Sequence, residues 1–125
     1  MVIEPNRRIV DALKARKPGL KIIGFPRLAG LMLGEYVRES GVDAVGLDTV
    51  TPLANAIAAC PEGTVFQGNL DPLLLKLGGT AMEKAVRDLL EKVEGRSHII
   101  NLGHGITPDV PEANVARLME IVRGA

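Results

Sequence analysis

Short apolar segments rich in β-branched residues alternate along this chain with longer segments that have the period of an amphipathic helix. This alternation is typical of parallel βα units. Because each short segment is almost continuously apolar, we expect strands that are covered on both faces. The four predicted strands are residues 21–25 (KIIGF), 43–48 (DAVGLD), 64–69 (TVFQGN) and 98–102 (HIINL).

The segments between these strands carry helix start and stop signals. Pro18-Gly19 ends a first helix over residues 5–17, and Gly41 ends a second over residues 27–40. Further helices are predicted from 51 or 52 to 59, from Asp71-Pro72, over 80–93 and over 111–122. Thr51 with Pro52 would start the third helix, and Thr80 with Glu83 resembles a capping box. The pattern predicts one α/β domain over residues 1–125, with a helix followed by four βα units, as if a longer βα series were cut in the middle.

Composition excludes several classes of function. Fifteen basic and fifteen acidic residues are spread along the chain, and aromatic residues make up 2%. The sequence therefore predicts no nucleic-acid partner and no charged surface for a membrane. The single Cys60 has no partner at metal-ligand spacing, and no apolar run approaches the roughly 20 residues of a membrane span. We expect a cytoplasmic protein without a metal.

Ligands of parallel βα arrays bind at the carboxyl ends of the strands, and polar or glycine residues follow every predicted strand here. The four segments are GFPR at 24–27, GLDT at 46–49, QGNLDP at 67–72 and NLGHG at 101–105. None of them is a phosphate-binding glycine loop or a hydrolase nucleophile motif. The candidate site is therefore a constellation of side chains from several loops.

His104 is the leading candidate, since imidazole titrates near neutrality and the flanking glycines permit close approach of a ligand. The alternative is a loop histidine bonded to the backbone. Asp48 either accepts hydrogen bonds from a ligand or caps the short helix that follows it. Arg27 is able to bind a carboxylate bidentately, but an unpaired arginine at a helix start is also common. For Asn69 and Asp71, capping of turns and helix starts is the favoured interpretation.

The same segments resemble the uroporphyrinogen decarboxylase family along essentially the whole chain. The matching stretches are IIGFPR at 22–27, GVDAVGLDT at 41–49, QGNLDPLLL at 67–75 and NLGHGITPDVPEANV at 101–115. QGNLDP and NLGHG, separated by one predicted helix and strand, are specific in combination. The related branch that transfers methyl groups through zinc is disfavoured, because Cys60 is not placed as a ligand.

The resemblance implies a (β/α)8 TIM barrel, of which this chain is the C-terminal half with the last four strands. It further implies decarboxylation of the acetate side chains of uroporphyrinogen III to give coproporphyrinogen III, without metal or organic cofactor. His104 matches the cleft histidine of the family, which implies a catalytic residue that hydrogen-bonds or positions a substrate carboxylate. Arg27, Asp48 and Phe25 are expected to bind substrate together with His104. Asp48 is not the family's central aspartate, which lies in the other half together with the substrate-binding arginines.

Half a barrel exposes two strand edges and an apolar inner face, which soluble proteins cover. One hypothesis is a piece of the enzyme that is inactive without its amino-terminal half. The other is a half-barrel scaffold without catalytic activity, completed by self-association as a homo-oligomer or opened into a flavodoxin-like sheet. Both predict that another polypeptide, or a changed sheet, covers the inner face.

Overall fold

A computed structural model describes residues 2–124, which form a four-stranded sheet and six α-helices. The strands are β1 (Ile23–Gly24), β2 (Ala44–Gly46), β3 (Val65–Leu70) and β4 (His98–Leu102). The helices are α1 (Ile3–Arg16), α2 (Leu33–Ser40), α3 (Leu53–Ala59), α4 (Pro72–Leu77), α5 (Gly79–Lys92) and α6 (Glu112–Arg123), and a 3-10 turn (Gly30–Met32) precedes α2. None of these helices is long and apolar enough to cross a membrane.

The strands are all parallel, and their order in the sheet is the order of the chain, β1-β2-β3-β4. Because crossovers between parallel strands are right-handed, sequential order puts every crossover on the same face of the sheet. This is the winding of a (β/α)8 barrel, and it confirms the predicted α/β fold as part of such a barrel. The flavodoxin-like alternative is wrong for residues 2–124, since that sheet reverses its strand order and carries helices on both faces.

The core lies between the sheet and the helices. Along β3, Phe66 and Leu70 are buried, whereas Gln67 and Asn69 between them are only partly buried. Full burial of one such apolar side chain stabilises the fold by roughly 1.5–3 kcal/mol. The most deeply buried apolar side chains of the core are Val45, Leu47, Leu75, Met82 and Val86.

The other face of the sheet is open, contrary to the expectation of strands covered on both faces. Ile23, Phe25 and Ile99 are 45%, 49% and 41% exposed. The strand register places Ile23 beside Ala44 and Gln67 beside Ile99 on this face. A continuous apolar run does not distinguish a strand covered by helices from one that faces a barrel interior, and sequential winding leaves the second face without helices. Residues 23, 25, 44, 46, 65, 67, 69, 99 and 101 are called the open face below.

The predicted helix starts are partly wrong. Asp71 caps α4 by accepting a hydrogen bond from Leu73 N, which confirms the capping interpretation. Helix α3 instead begins at Leu53 without a side-chain cap, because the Thr51 hydroxyl donates to Asp48. The capping box at Thr80 is also wrong, since α5 begins one residue earlier at Gly79 and has Gly78 as its N-cap.

Helix α2 begins six residues later than predicted, at Leu33. Residues 27–29 belong to a loop in which Leu28 has a left-handed φ of 58°. Its backbone N–H donates to the Asp48 carboxylate instead of to a helical carbonyl. A contact with another part of the chain therefore overrides the local helical preference of this segment.

Candidate functional site

A cavity of about 510 Å³ opens beside the carboxyl end of β4. His104, Phe25, Gln67 and Asn101 contribute its polar and aromatic groups. Its other walls are apolar, with Ile100 and Leu102 from β4 and Val115, Leu118, Met119 and Val122 from α6. A mostly apolar cavity with a few convergent polar groups is typical of a small-molecule site.

The His104 side chain is exposed to this cavity, and its Nδ1 accepts a hydrogen bond of 2.8 Å from the backbone N–H of Gly105. An imidazole nitrogen that accepts carries no proton, so the neutral ring has its proton on Nε2. The backbone-bonded and the functional interpretations of His104 are therefore compatible. One nitrogen is held by the loop, and the other is a donor with no hydrogen-bond partner among residues 2–124.

The two glycines beside His104 serve different purposes. A Cβ atom added at Gly103 would lie 2.6 Å from Thr49 N and 2.9 Å from the Asp48 carbonyl carbon, whereas one added at Gly105 would have nothing within 4 Å. Gly103 N also donates to Leu70 O over 2.8 Å. Gly103 thus lets the loop after β4 lie directly against the loop after β2.

Asp48 is only 5% exposed, and its carboxylate is occupied by groups of the protein. Oδ2 accepts from Leu28 N and Oδ1 from the Thr51 hydroxyl, each over 2.7 Å. Burial raises the pKa of Asp48, but the hydrogen bonds from Thr51 and Leu28 outweigh it, so that the pKa lies below its usual value. Of the two roles considered for Asp48, this geometry favours the structural one.

Asn69 holds the same loop from the neighbouring strand. Its side-chain amide donates to Asp48 O over 2.9 Å and to Thr51 O over 2.7 Å. The predicted helix-capping role therefore applies to Asp71 but not to Asn69. The Asn69 side chain instead ties the carboxyl end of β3 to the loop after β2.

Phe25 and Arg27 share a loop but have different surroundings. Phe25 lies across Gly46, where an added Cβ would be 2.8 Å from Phe25 Cδ2, and its ring lines the cavity with His104. Arg27 is exposed, lies outside the cavity lining and has no ion pair among residues 2–124. The structure thus brings Phe25 and His104 together and leaves Arg27 and Asp48 beside them.

Two cavity residues, Gln67 and Asn101, were given no role by the sequence. The register pairs Gln67 with Ile99 and Asn69 with Asn101, which places both amides on the open face. Asn101 Oδ1 accepts from Leu102 N, so its NH₂ group is the part that remains to donate. The signal for this pair was the alternation of side-chain direction along two adjacent strands. That signal identifies neighbours only when the register between the two strands is known, which the sequence alone does not provide.

No group of three His, Cys, Asp or Glu side chains that would hold a metal ion occurs within residues 2–124. Cys60 is partly buried, and burial raises the pKa of its thiol.

Comparison with known proteins gives a consistent result. The family model described as uroporphyrinogen decarboxylase (URO-D) matches residues 1–125. The uroporphyrinogen decarboxylase of Acidiphilium cryptum is 54% identical over 123 residues, which cover 98% of this chain and 34% of that protein. The Hyphomonas neptunium protein of the same name is 51% identical over 125 residues, 100% of this chain and 36% of its own length. The chain therefore spans about a third of the length of the relatives it matches, less than the half that the resemblance implied.

Proposed function

Since the chain belongs to the uroporphyrinogen decarboxylase family, we propose that it forms one wall of the cleft in which uroporphyrinogen III is decarboxylated to coproporphyrinogen III. The observation that carries this proposal is the cavity at the carboxyl ends of the strands, in which the His104 Nε2–H donor faces the same space as the Phe25 ring. A large, partly apolar substrate with carboxylate substituents fits such a wall.

Each side chain has a role that follows from its surroundings. His104 donates Nε2–H to a substrate carboxylate, while the Gly105 N–H fixes the orientation of the ring. Phe25 offers an aromatic surface to the macrocycle. Arg27, exposed and without an ion pair within residues 2–124, binds a second carboxylate at the cavity mouth after its side chain turns inward.

Decarboxylation breaks the bond between the acetate methylene and its carboxylate, and the electron pair must be accepted by the pyrrole before a proton ends on the new methyl carbon. Protonation of the pyrrole and of the methylene carbon are general acid steps. Neither Phe25 nor Arg27 supplies a proton at neutral pH, and the role proposed for His104 is that of a hydrogen-bond donor to a substrate carboxylate. We therefore propose that this wall binds and orients the substrate. We expect the isolated chain to be inactive, with no metal or organic cofactor involved.

The test is a chimaera in which this chain replaces the matching third of the Acidiphilium cryptum protein. We expect anaerobic conversion of uroporphyrinogen III to products with fewer carboxylates. His104→Leu in the chimaera removes the donor and is expected to lower kcat/KM about 100-fold, while His104→Gln retains an N–H donor and loses less. His98→Gln, outside the cavity, is the control. A chimaera with native mass and circular dichroism but no product would overturn the proposal.

The purified chain is assayed in parallel. Product above the buffer rate from this chain alone would contradict the expectation that groups outside it are required.

The second candidate is the half-barrel scaffold that self-associates without catalysis. It is favoured by the open face, where Ile23, Phe25 and Ile99 are each more than 40% exposed. A monomeric protein covers such a surface, so the partner is either the remainder of the barrel or a second copy of this chain. In either case we propose a cytoplasmic protein whose partner is another polypeptide and not a nucleic acid or a membrane.

A further inference from the structure

We propose that Asp48 is a positioning residue, which fixes the loop of residues 25–28 so that Phe25 is held at the cavity and Arg27 beside it. Asp48 itself does not line the cavity, and each of its carboxylate oxygens accepts a hydrogen bond from another group of this chain. Its effect on the loop is independent of the reaction. Its effect on substrate binding rests on the proposed function.

The loop after β1 contains a residue in an unfavourable backbone conformation. Leu28 is the one residue other than glycine with a positive φ among residues 2–124. A left-handed leucine is strained, and such residues persist only where their surroundings impose them. Since the Leu28 side chain is 69% exposed, packing of that side chain does not impose the conformation. The turn closed by Ala29 N and Pro26 O over 3.2 Å places Leu28 at its third position, and the hydrogen bond from Leu28 N to Asp48 attaches this turn to the rest of the chain.

The Asp48 carboxylate is surrounded by donors. Leu28 offers a backbone N–H to one oxygen, the Thr51 hydroxyl donates to the other, and hydrogen bonds from the backbone of Thr51 and Val50 also lower the pKa of this carboxyl. An amide of the same size has one oxygen and one NH₂ group, and the Thr51 hydroxyl is able to accept from the NH₂ group but a backbone N–H is not. Replacement of Asp48 by Asn thus preserves shape but loses either a backbone hydrogen bond or, where the oxygen still accepts from Leu28 N, the charge that strengthens that bond.

Asp48 is held in turn by loops from the other strands. The Asn69 amide binds Asp48 O and Thr51 O, and Gly103 lies against the backbone of Asp48 and Thr49. The loops after β2, β3 and β4 therefore form a fixed support, and the loop after β1 is attached to it through the Asp48 carboxylate. Release of this attachment moves Phe25 and Arg27 but leaves His104 in place.

The first measurement is hydrogen–deuterium exchange of the purified chain, followed by peptide. Asp48→Asn is expected to increase exchange about tenfold or more in peptides covering residues 26–30, since a hydrogen bond to a charged group is lost. Peptides from α5 and β4 should be unchanged. Asp71→Asn is the matched control, because Asp71 accepts a single backbone hydrogen bond at an N-cap that asparagine also fills. An unchanged loop, or faster exchange throughout the chain, overturns the proposal.

A milder variant decides the case in which Asp48→Asn does not fold. Thr51→Val removes one hydrogen bond from the carboxylate and leaves Leu28 bound to it. Exchange in residues 26–30 should then rise by a smaller factor, with the rest of the chain unaffected. No local change in this variant also counts against the proposal.

The second measurement uses the active chimaera. Asp48→Asn should raise KM for uroporphyrinogen III about tenfold and change kcat much less, because a binding loop is displaced while His104 is retained. An equal loss in kcat and kcat/KM would overturn the positioning role. If the unsubstituted chimaera is inactive, the proposed function fails, whereas the exchange experiment still decides whether Asp48 holds the loop.

Discussion

Gly103 and Gly105 flank the same histidine, but only Gly103 is in close contact with another part of the backbone. Gly103→Ala forces its new methyl group against Thr49 N and Asp48, and should lower the free energy of unfolding by about 1–3 kcal/mol. Gly105→Ala should change it by less than about 0.5 kcal/mol, because nothing lies within reach of the methyl group. Urea unfolding of the two variants checks this prediction. Equal stabilities would contradict the close approach of the two loops.

Asp43 makes the free energy of unfolding of this chain depend on pH in the acidic range. Hydrogen bonds from Lys14 and from Ile22 N lower its pKa from the usual 3.8 to about 2. A carboxylate whose pKa is lower in the folded chain than in the unfolded chain stabilises the fold at every pH above its unfolded pKa. This contribution is lost as the pH falls through the pKa of the folded chain. The stability that Asp43 contributes should therefore be complete above about pH 4 and disappear toward pH 2.

Free energies of unfolding between pH 6 and pH 2 measure this contribution in the unsubstituted chain and in Asp43→Asn. The difference between the two proteins should be constant near neutrality and shrink below about pH 4. Asp11→Asn, which removes an exposed carboxylate without an ion pair among residues 2–124, is the control. A pH-independent difference would show that the pairing with Lys14 does not matter for stability.

At the scale of elements, α6 packs on the core through Ile121 and is also held by hydrogen bonds from one amide. Asn114 Nδ2 donates to Leu75 O over 2.9 Å and to Lys76 O over 3.2 Å, where α4 ends. Arg117 on the same helix pairs with Glu83 of α5 and with Glu120, but its side chain is 46% exposed. Exposed ion pairs contribute at most about 1 kcal/mol, whereas a partly buried carbonyl left without its donor costs about 1–3 kcal/mol.

We therefore expect Asn114→Ala to destabilise the chain more than Arg117→Ala, although Arg117 makes contacts with two charged partners. Thermal unfolding of both variants, repeated at high salt, provides the comparison. Salt should reduce the effect of Arg117→Ala and leave that of Asn114→Ala unchanged. If Arg117→Ala were the more destabilising variant, the ion pairs of Arg117 would contribute more to holding α6 than the hydrogen bonds of Asn114 do.

The elements that the sequence predicted well are those determined by local patterns. The predicted bounds of β4 coincide with those of the structure, and β3 differs by one residue at each end. The loop after β1 was predicted as helix, because no local signal reveals that Asp48, 20 residues away, binds Leu28 N. Gln67 and Asn101 were missed for the same kind of reason, since their proximity follows from strand register.

The family motif located His104 and Phe25 at the cavity, but it did not distinguish ligand contacts from internal ones. Asp48 and Asn69 belong to strand ends that also match the family, and their side chains bind loops of this chain. Residue type and position at a strand end predict where polar groups lie. Which partner each group takes depends on distances that only the folded chain provides.

At the scale of the whole molecule, we expect the open face to determine the oligomeric state of the chain. We expect the purified chain to associate at micromolar concentration through this face, because burial of Ile23, Phe25 and Ile99 removes apolar surface from water. Ile99→Glu should shift the mass measured by light scattering toward 13.3 kDa. Leu13→Glu on α1 is a matched control, since Leu13 and Ile99 are both 41% exposed. Equal masses for the two variants would place the association elsewhere.

The one-sided arrangement of helices also bears on how this chain changes over evolutionary time. In β3, residues 66, 68 and 70 face the helices, and residues 65, 67 and 69 lie on the other side. Substitutions in the first set change the packing of the core, whereas in the second set Gln67 lines the cavity and Asn69 holds the loop after β2. We therefore expect changes of ligand specificity to be accessible through substitutions at residue 67, which leave the packed half of the sheet untouched.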